Sequence, residues 1–346
     1  MSDAAVCGTE GRGLRGLRPS PRRRPAPPVR RIASLALVAW LVAAPAGAQR
    51  TVAAAEEASR LPESVLAVWR DGAWHQWWRA GSAPSDWPRA DARMAGAVHW
   101  HATAPGVELA ELRLAGSGEA FRTRVVLVRI DPARVRFRLE ERSAARTARG
   151  AWTIDSAPPS AIVALDAGQF VGGSPWGWVV SSGVERYSPG YGPLSMVFVV
   201  DRGGVARLLA PDSLTPAVRA SAAVAFQSYP ALLAGEGEVP MALRTPNAGV
   251  DVGHRDARLA LGTTRDGRLV VALTRFDALG GALASVPFGL TTPEMAALMG
   301  ALGCSRAVAL DGGISAQLLV REAAGGTTHE WHGVRAVPLG LIVERR

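Results

Sequence analysis

Two six-residue segments of the chain nearly repeat one another. Val163-Ala164-Leu165-Asp166-Ala167-Gly168 returns as Val308-Ala309-Leu310-Asp311-Gly312-Gly313, with five of six positions identical. Each reads as a short buried strand that ends in a carboxylate and runs into small residues. Glycine there permits positive φ and close backbone approach, and the freed N–H groups can face an anion. Two such strands, adjacent in one sheet, would bring Asp166 and Asp311 to the same edge of a cleft. Paired carboxylates can stabilise a developing cation, attack it, or activate water. Ordinary Asp-Gly turns in an Ala/Val/Leu-rich chain give the same pattern, so the echo alone leaves the chemistry open.

Histidine and cysteine add little. His99 and His101 share one face if they lie on a strand, but no third ligand accompanies them. His254 precedes Arg258 by four residues and is a candidate general acid or a plain loop residue. His329 and His332 fall in a Gly/Thr-rich loop. Cys7 and Cys304 are the two cysteines, and Cys304 reads as a small buried residue rather than a nucleophile. No G-x-S-x-G, P-loop or H-E-x-x-H motif occurs, which weakens serine hydrolase, NTPase and zincin chemistry.

The elements that must position the carboxylates are mainly strands. Residues 107–114, 122–130, 135–139, 161–165, 179–184, 195–201, 205–209, 259–264, 269–274, 307–310, 315–320 and 337–343 carry strand patterning. Arg202-Gly203-Gly204 and Arg265-Asp266-Gly267 read as hairpin turns. Residues 147–157 suggest a short helix before Pro158-Pro159. A second helix is well signed: Thr291 and Glu294 stand at capping-box spacing, Pro293 is in the first turn, and Gly303 ends it. Met295, Leu298, Met299 and Leu302 form its apolar stripe. Many strands with few helices, not strictly alternating, predict an α+β fold with a mixed β-sheet and flanking helices.

The chain has 346 residues, 48% of them hydrophobic and 20% charged, which excludes a disordered chain and a coiled coil. Its net charge of +9 comes mostly from the first 48 residues, where eight arginines face Asp3 and Glu10. The remainder, near +3, gives no nucleic-acid signature. All 39 basic residues are arginine. Arg22 to Arg31 is a basic region, Ile32 to Ala44 an apolar run, and Ala46-Gly47-Ala48 a small-x-small cleavage site. This is a secretory signal pattern over residues 1–48, with no stable membrane span once it is removed. Residues 49–99 form a Trp-rich extension: Trp69, Trp74, Trp77, Trp78 and Trp87, with Trp100 next to them, are six of the eleven tryptophans. They suit either a sugar-stacking platform or a hydrophobic clasp, and the clasp is the better reading. Residues 100–346 are expected to form the main domain.

The order of motifs in that domain resembles the phosphodiester glycosidase family. Arg258-Leu259-Ala260-Leu261-Gly262 is similar to its R-T-A-x-G strand, and Leu310-Asp311-Gly312-Gly313-Ile314-Ser315 to its L-D-G-G-x-S turn. Between them runs a helix ending in Leu302-Gly303. Asp166-Ala167-Gly168-Gln169-Phe170 resembles the family's N-G/A-G-x-F strand end, and residues 226–233 its segment before a glycine loop. Val107-Glu108 and Arg129-Ile130-Asp131-Pro132 match its first strands. The likeness covers roughly residues 100–345. The departures are Asp166 for Asn, Leu259 for Thr, Ile314 for Gly and Ala316 for Ser.

The resemblance implies hydrolysis of a glycosyl-phosphodiester to free sugar and phosphomonoester; with the signal pattern, it is expected of a secreted or periplasmic protein acting on envelope glycopolymers or exopolysaccharide. It implies Asp311 as the catalytic carboxylate, with Asp166 as the second. Arg258 would clamp phosphate, since guanidinium reads it bidentately. Gly312 and Gly313 would donate backbone N–H groups, and Ser315 and Gln317 polar contacts. Gly168, Phe170, Gln227 and Ser228 complete the substrate-binding set. The partner is therefore a glycan or sugar-phosphodiester. No cofactor is evident, and a divalent metal and the oligomeric state stay open. The departures leave a second reading: a catalytically degenerate member of the fold that binds envelope glycan without turnover.

Overall fold

A computed structural model of the chain describes residues 65–346 except 80–86, 88, 117–119, 121, 143–150, 193, 245–249, 278–285 and 287. The signal sequence read over residues 1–48 lies outside the described residues, as does the stretch 49–64. Among the described residues no helix is long and apolar enough to cross a membrane.

The described chain is mostly β. Its largest sheet has nine strands, running across as Ala231–Leu233, Cys304–Ala309, Leu259–Thr264, Leu269–Phe276, Thr123–Ile130, Val107–Ala115, Val65–Arg70 and Ala73–Arg79, with His101–Ala104 also on Val107–Ala115. A second sheet has five, in the order Val184–Tyr187, Val179–Ser181, Ala222–Ser228, Met196–Asp201 and Ala206–Leu209. The third has Thr328–Trp331, Leu318–Arg321, Ala161–Asp166, Leu339–Arg345 and Val135–Glu141. The pairings inside these three sheets are antiparallel. This corrects the expected mixed sheet. An apolar run such as residues 161–165 reads like a parallel strand because both of its faces are covered, not because of strand direction.

Alternation shows the cover. Val126, Val128 and Ile130 point into a core shared by the three sheets, whereas Val125 and Leu127 point into a second core on the far side. Val271 and Leu273 repeat the first set, Val270 and Ala272 the second. Burying each larger side chain stabilises the fold by about 1.5–3 kcal/mol. Trp77, Trp78 and Trp87 enter the far-side core, and the Val65–Arg70 strand pairs with Val107–Ala115 through Ala67 and Val68. Trp69 and Trp74 form an exposed cross-strand pair.

The α-helices among the described residues are Ala92–Ala97, Pro216–Ser221 and Thr292–Ala301. The last has the predicted capping box: Thr291 and Glu294 each satisfy the other's backbone N–H. Its predicted single stripe is too narrow. Ala296, Ala297, Gly300 and Ala301 are buried along with Met295 and Met299, because the helix lies within the far-side core. The helix expected over 147–157 is not an α-helix where described; Ile154–Ser156 is one 3-10 turn held by Thr153 and Ser156. The strand expected over 179–184 is a hairpin, since Ser182 and Gly183 take positive φ and reverse the chain. The one expected over 315–320 starts at Leu318, after a 3-10 turn at Gly313–Ser315.

Candidate active site

Asp166 ends a strand of the third sheet, whereas Asp311 follows a strand of the nine-stranded sheet. The expectation that the two strands share one sheet is therefore corrected. The echoing turns nevertheless meet: the Asp311 N–H donates to the Gly168 carbonyl at 3.0 Å. Gly168 has φ +72°, and a Cβ there would come within 3.0 Å of the Gln227 carbonyl. Gly312 and Gly313 lie against the start of the Arg258 strand, with Gly313 N–H donating to Ala257 O at 2.7 Å. A Cβ on Gly312 would sit 2.6 Å from that same oxygen. Only glycine lets the two backbones come this close.

The two carboxylates differ in environment. Asp311 keeps some solvent contact, its side chain being 16% exposed. Burial pushes its carboxyl above the usual range, while the Ser315 hydroxyl and the Arg335 guanidinium pull it back. Arg335 Nη2 lies 3.3 Å from Asp311 Oδ2, and its Nε donates to Ser315 Oγ at 2.9 Å. Half of the Arg335 side chain is exposed, and its guanidinium lies over the Phe170 ring at 4.7 Å.

Asp166 is 1% exposed. Its Oδ1 accepts from Gln317 N–H at 2.9 Å, and its Oδ2 is buried with no hydrogen-bond partner from another described residue. Burial first, then the charge of Asp311, holds its carboxyl well above the usual range. Arg275, through its charge, acts in the opposite sense. It is 3% exposed, donates to the carbonyls of Ala316 and His332 at 2.6 and 3.2 Å, and is lowered by burial to about 10.

Asp256 is a third carboxylate at the turn. A Cβ on Gly313 would meet its Oδ2 at 2.8 Å, and burial raises its carboxyl too. His254 Nε2 stands 3.7 Å from that oxygen. Beyond them a cavity of about 560 Å3 is lined by His254, Asp256, Phe288, Gly313 and Ile314. Among the described residues no group of three or more His, Cys, Asp or Glu side chains is arranged to hold a metal.

The remaining expected site residues divide. Phe170, Gly168, Gly312, Gly313 and Ser315 lie at the Asp311 turn. Gln317 holds Asp166 through its N–H and caps Ile154 N–H through its Oε1 at 2.9 Å. Arg258 donates from Nε to Leu290 O at 2.8 Å and from Nη2 to His254 O at 2.6 Å. Gln227 is committed to the protein: Oε1 accepts from Trp178 and Gly190 N–H, and Nε2 donates to Gly190 O and Ser195 Oγ. Ser228 donates to Ala309 O at 2.6 Å, tying the second sheet to the first. Arg335, Asp256 and Arg275 escaped the sequence reading. Asp256 stood two residues before a motif arginine, but Arg335 and Arg275 carried no local signal.

The phosphodiester glycosidase family matches residues 159–344, more than half of the chain. The chain belongs to the phosphodiester glycosidase family. That span begins just before the Asp166 strand and contains every expected site residue. Among solved structures, this phosphodiester glycosidase family member is similar to the zebrafish N-acetylglucosamine-1-phosphodiester alpha-N-acetylglucosaminidase catalytic domain, auto-inhibited by its pro-peptide. The two share 18% identity and a TM-score of 0.50 over 72% of this chain and 87% of that one. The likeness is one of fold. A hypothetical protein from Synechocystis matches at 16% identity and TM-score 0.42, over 83% of this chain and 69% of that one. A protein of Burkholderia pseudomallei K96243 described as exported matches at 16% and 0.41, over 64% and 74%. No curated protein matches the chain.

Proposed function

We propose that this protein hydrolyses a sugar-1-phosphate diester, releasing free sugar and a phosphomonoester. The observation that carries the reading is the Asp311–Arg335 pair at a glycine turn, 3.3 Å apart and both reachable from solvent. Cleaving the bond between the anomeric carbon and the phosphate oxygen builds positive charge on the sugar and negative charge on the phosphate beside it. A carboxylate next to a guanidinium matches that charge pair. Asp311 serves the anomeric carbon, as nucleophile or as the base that activates water. Arg335 takes the phosphate oxygens and stabilises the leaving phosphomonoester.

The other residues support this pair. Ser315 bridges Asp311 and Arg335. Gly312 and Gly313 set the turn. Arg258, with its bonds to Leu290 and His254 carbonyls, braces the segment carrying Asp256. Asp166, buried behind the turn, positions Gln317 rather than touching substrate. Phosphate is a fair leaving group, so positioning and charge stabilisation matter more than strong acid assistance.

The deciding experiment is incubation of a sugar-1-phosphodiester with the protein and measurement of released phosphomonoester. Turnover that disappears with Asp311→Asn supports the reading. Binding of glycan with no turnover on any such diester replaces it with the non-catalytic binder. The protein works outside the cytoplasm in this reading, on envelope or exopolysaccharide polymers, after loss of residues 1–48. N-terminal sequencing of exported protein is then expected to begin at or near Gln49.

A further inference from the structure

The Gly168 turn that accepts the Asp311 N–H carries an aromatic pair on its other side. Trp176 N–H donates to Gln169 O at 2.8 Å, and Gln169 Nε2 donates to Tyr229 O at 3.1 Å. Two backbone hydrogen bonds thus tie the Gly168-Gln169 turn to Asp311 on one side and to Trp176 on the other. The rings of Trp176 and Tyr229 meet edge to face, with centroids 4.6 Å apart at 71°. Tyr229 is 39% exposed.

The pair is built, not incidental. Glycine at 190 lets the backbone lie against the indole; a Cβ there would stand 3.0 Å from Trp176 Cζ2. Gln227 locks that strap, taking the Gly190 N–H at 2.8 Å and giving to its carbonyl at 3.0 Å. The same amide oxygen accepts from Trp178 N–H at 3.0 Å, two residues beyond Trp176. A buried, fully used amide therefore fixes both sides of the indole's surroundings. The two rings thus present a firmly held, partly exposed aromatic surface.

We propose that Trp176 and Tyr229 form the subsite for the pyranose ring of the substrate, with Gln227 as its positioning residue. One face of a pyranose presents C–H bonds of positive polarity, which suit the negative face of an indole or phenol. The inference rests on the hydrolase reading only for the name of the substrate; sugar binding itself is tested without turnover.

The experiment is saturation-transfer NMR of the full protein with free glucose, galactose, mannose and N-acetylated hexosamines, alongside KM for a sugar-1-phosphodiester. Wild type is expected to bind at least one pyranose. Trp176→Ala and Tyr229→Leu should weaken that binding about tenfold or more, while Trp176→Phe and Tyr229→Phe should keep it within about threefold, as a stacking role requires. Thermal melts show which variants are folded, and Tyr229→Leu carries the test if Trp176→Ala is not. No transfer to any pyranose in wild type, or transfer unchanged in the folded non-aromatic variants, overturns the proposal. Hydrolysis with unchanged KM in those variants removes the subsite and leaves the hydrolase reading. If pyranose binding disappears with the rings while wild type hydrolyses no diester, the subsite stands and the hydrolase reading falls.

Discussion

The main-chain N–H of Asp311 donates to the carbonyl of Gly168 across two different sheets. The bond joins the two echoing Val-Ala-Leu-Asp segments at their turns. It sets the more exposed carboxylate in front and leaves Asp166 behind it, in the core. One acidic side chain thereby keeps some solvent contact, while the other is buried and accepts from the Gln317 N–H.

Asp311→Asn preserves shape and removes the charge. Turnover on a sugar-1-phosphodiester is expected to fall about a hundredfold or more, as with loss of a nucleophile or base. Steady-state kinetics with an unfolding curve checks this. Near-normal rates would remove Asp311 from the catalytic role.

Arg335 lowers the Asp311 carboxyl toward its usual range against the effect of burial. In Arg335→Ala the carboxyl rises further, so the ionised form is lost at a higher pH. The acid limb of the rate profile should move upward in pH, and KM should increase through loss of the phosphate contact. Arg335→Lys keeps the charge without the planar fork and should fall between the two. An acid limb that does not move would separate Arg335 from Asp311.

Asp166 offers a stability test. Its folded carboxyl lies well above the usual range, so the folded state holds a proton that the unfolded chain releases near pH 4. Its contribution is fully present below that pH and is lost as pH rises through the folded value. Asp166→Asn stays neutral and removes this loss. The variant should gain about 1–3 kcal/mol over wild type at pH 8 and little at pH 3. Urea melts at both pH values measure it; an equal effect at the two would mean that Asp166 does not titrate.

Gly340 lies opposite Asp166 in the third sheet, and a Cβ there would come 2.2 Å from Cε2 of the fully buried Trp152. Gly340→Ala should cost about 1–3 kcal/mol by overpacking. The denaturant midpoint should drop. Unchanged stability would show that Trp152 moves aside freely.

Much of the fold was legible locally. The strands at residues 107–115, 123–130, 259–264 and 269–276 follow from alternation and β-branched content. The helix start at Thr291 follows from a capping box, which is a hydrogen-bond exchange within four residues. The Asp311-Gly312-Gly313 turn and family membership were likewise present in the order of motifs. These features depend on neighbours in the chain, so the sequence alone determined them.

What surrounds the carboxylate was decided by the tertiary structure. Arg335 lies 24 residues beyond Asp311, Gln227 is 37 from Gly190, and Gln317 is 151 from Asp166. The resemblance to the family's motif strand marked Arg258 as the phosphate guanidinium. Packing turned its Nε and Nη2 onto carbonyl oxygens, and Arg335 is the arginine that lies beside Asp311. The same local string, Val-Ala-Leu-Asp, yields one buried and one accessible carboxylate because its two copies enter different sheets. Which sheet a strand joins depends on long-range pairing and on the faces left to be covered, and no window of neighbouring residues contains that information.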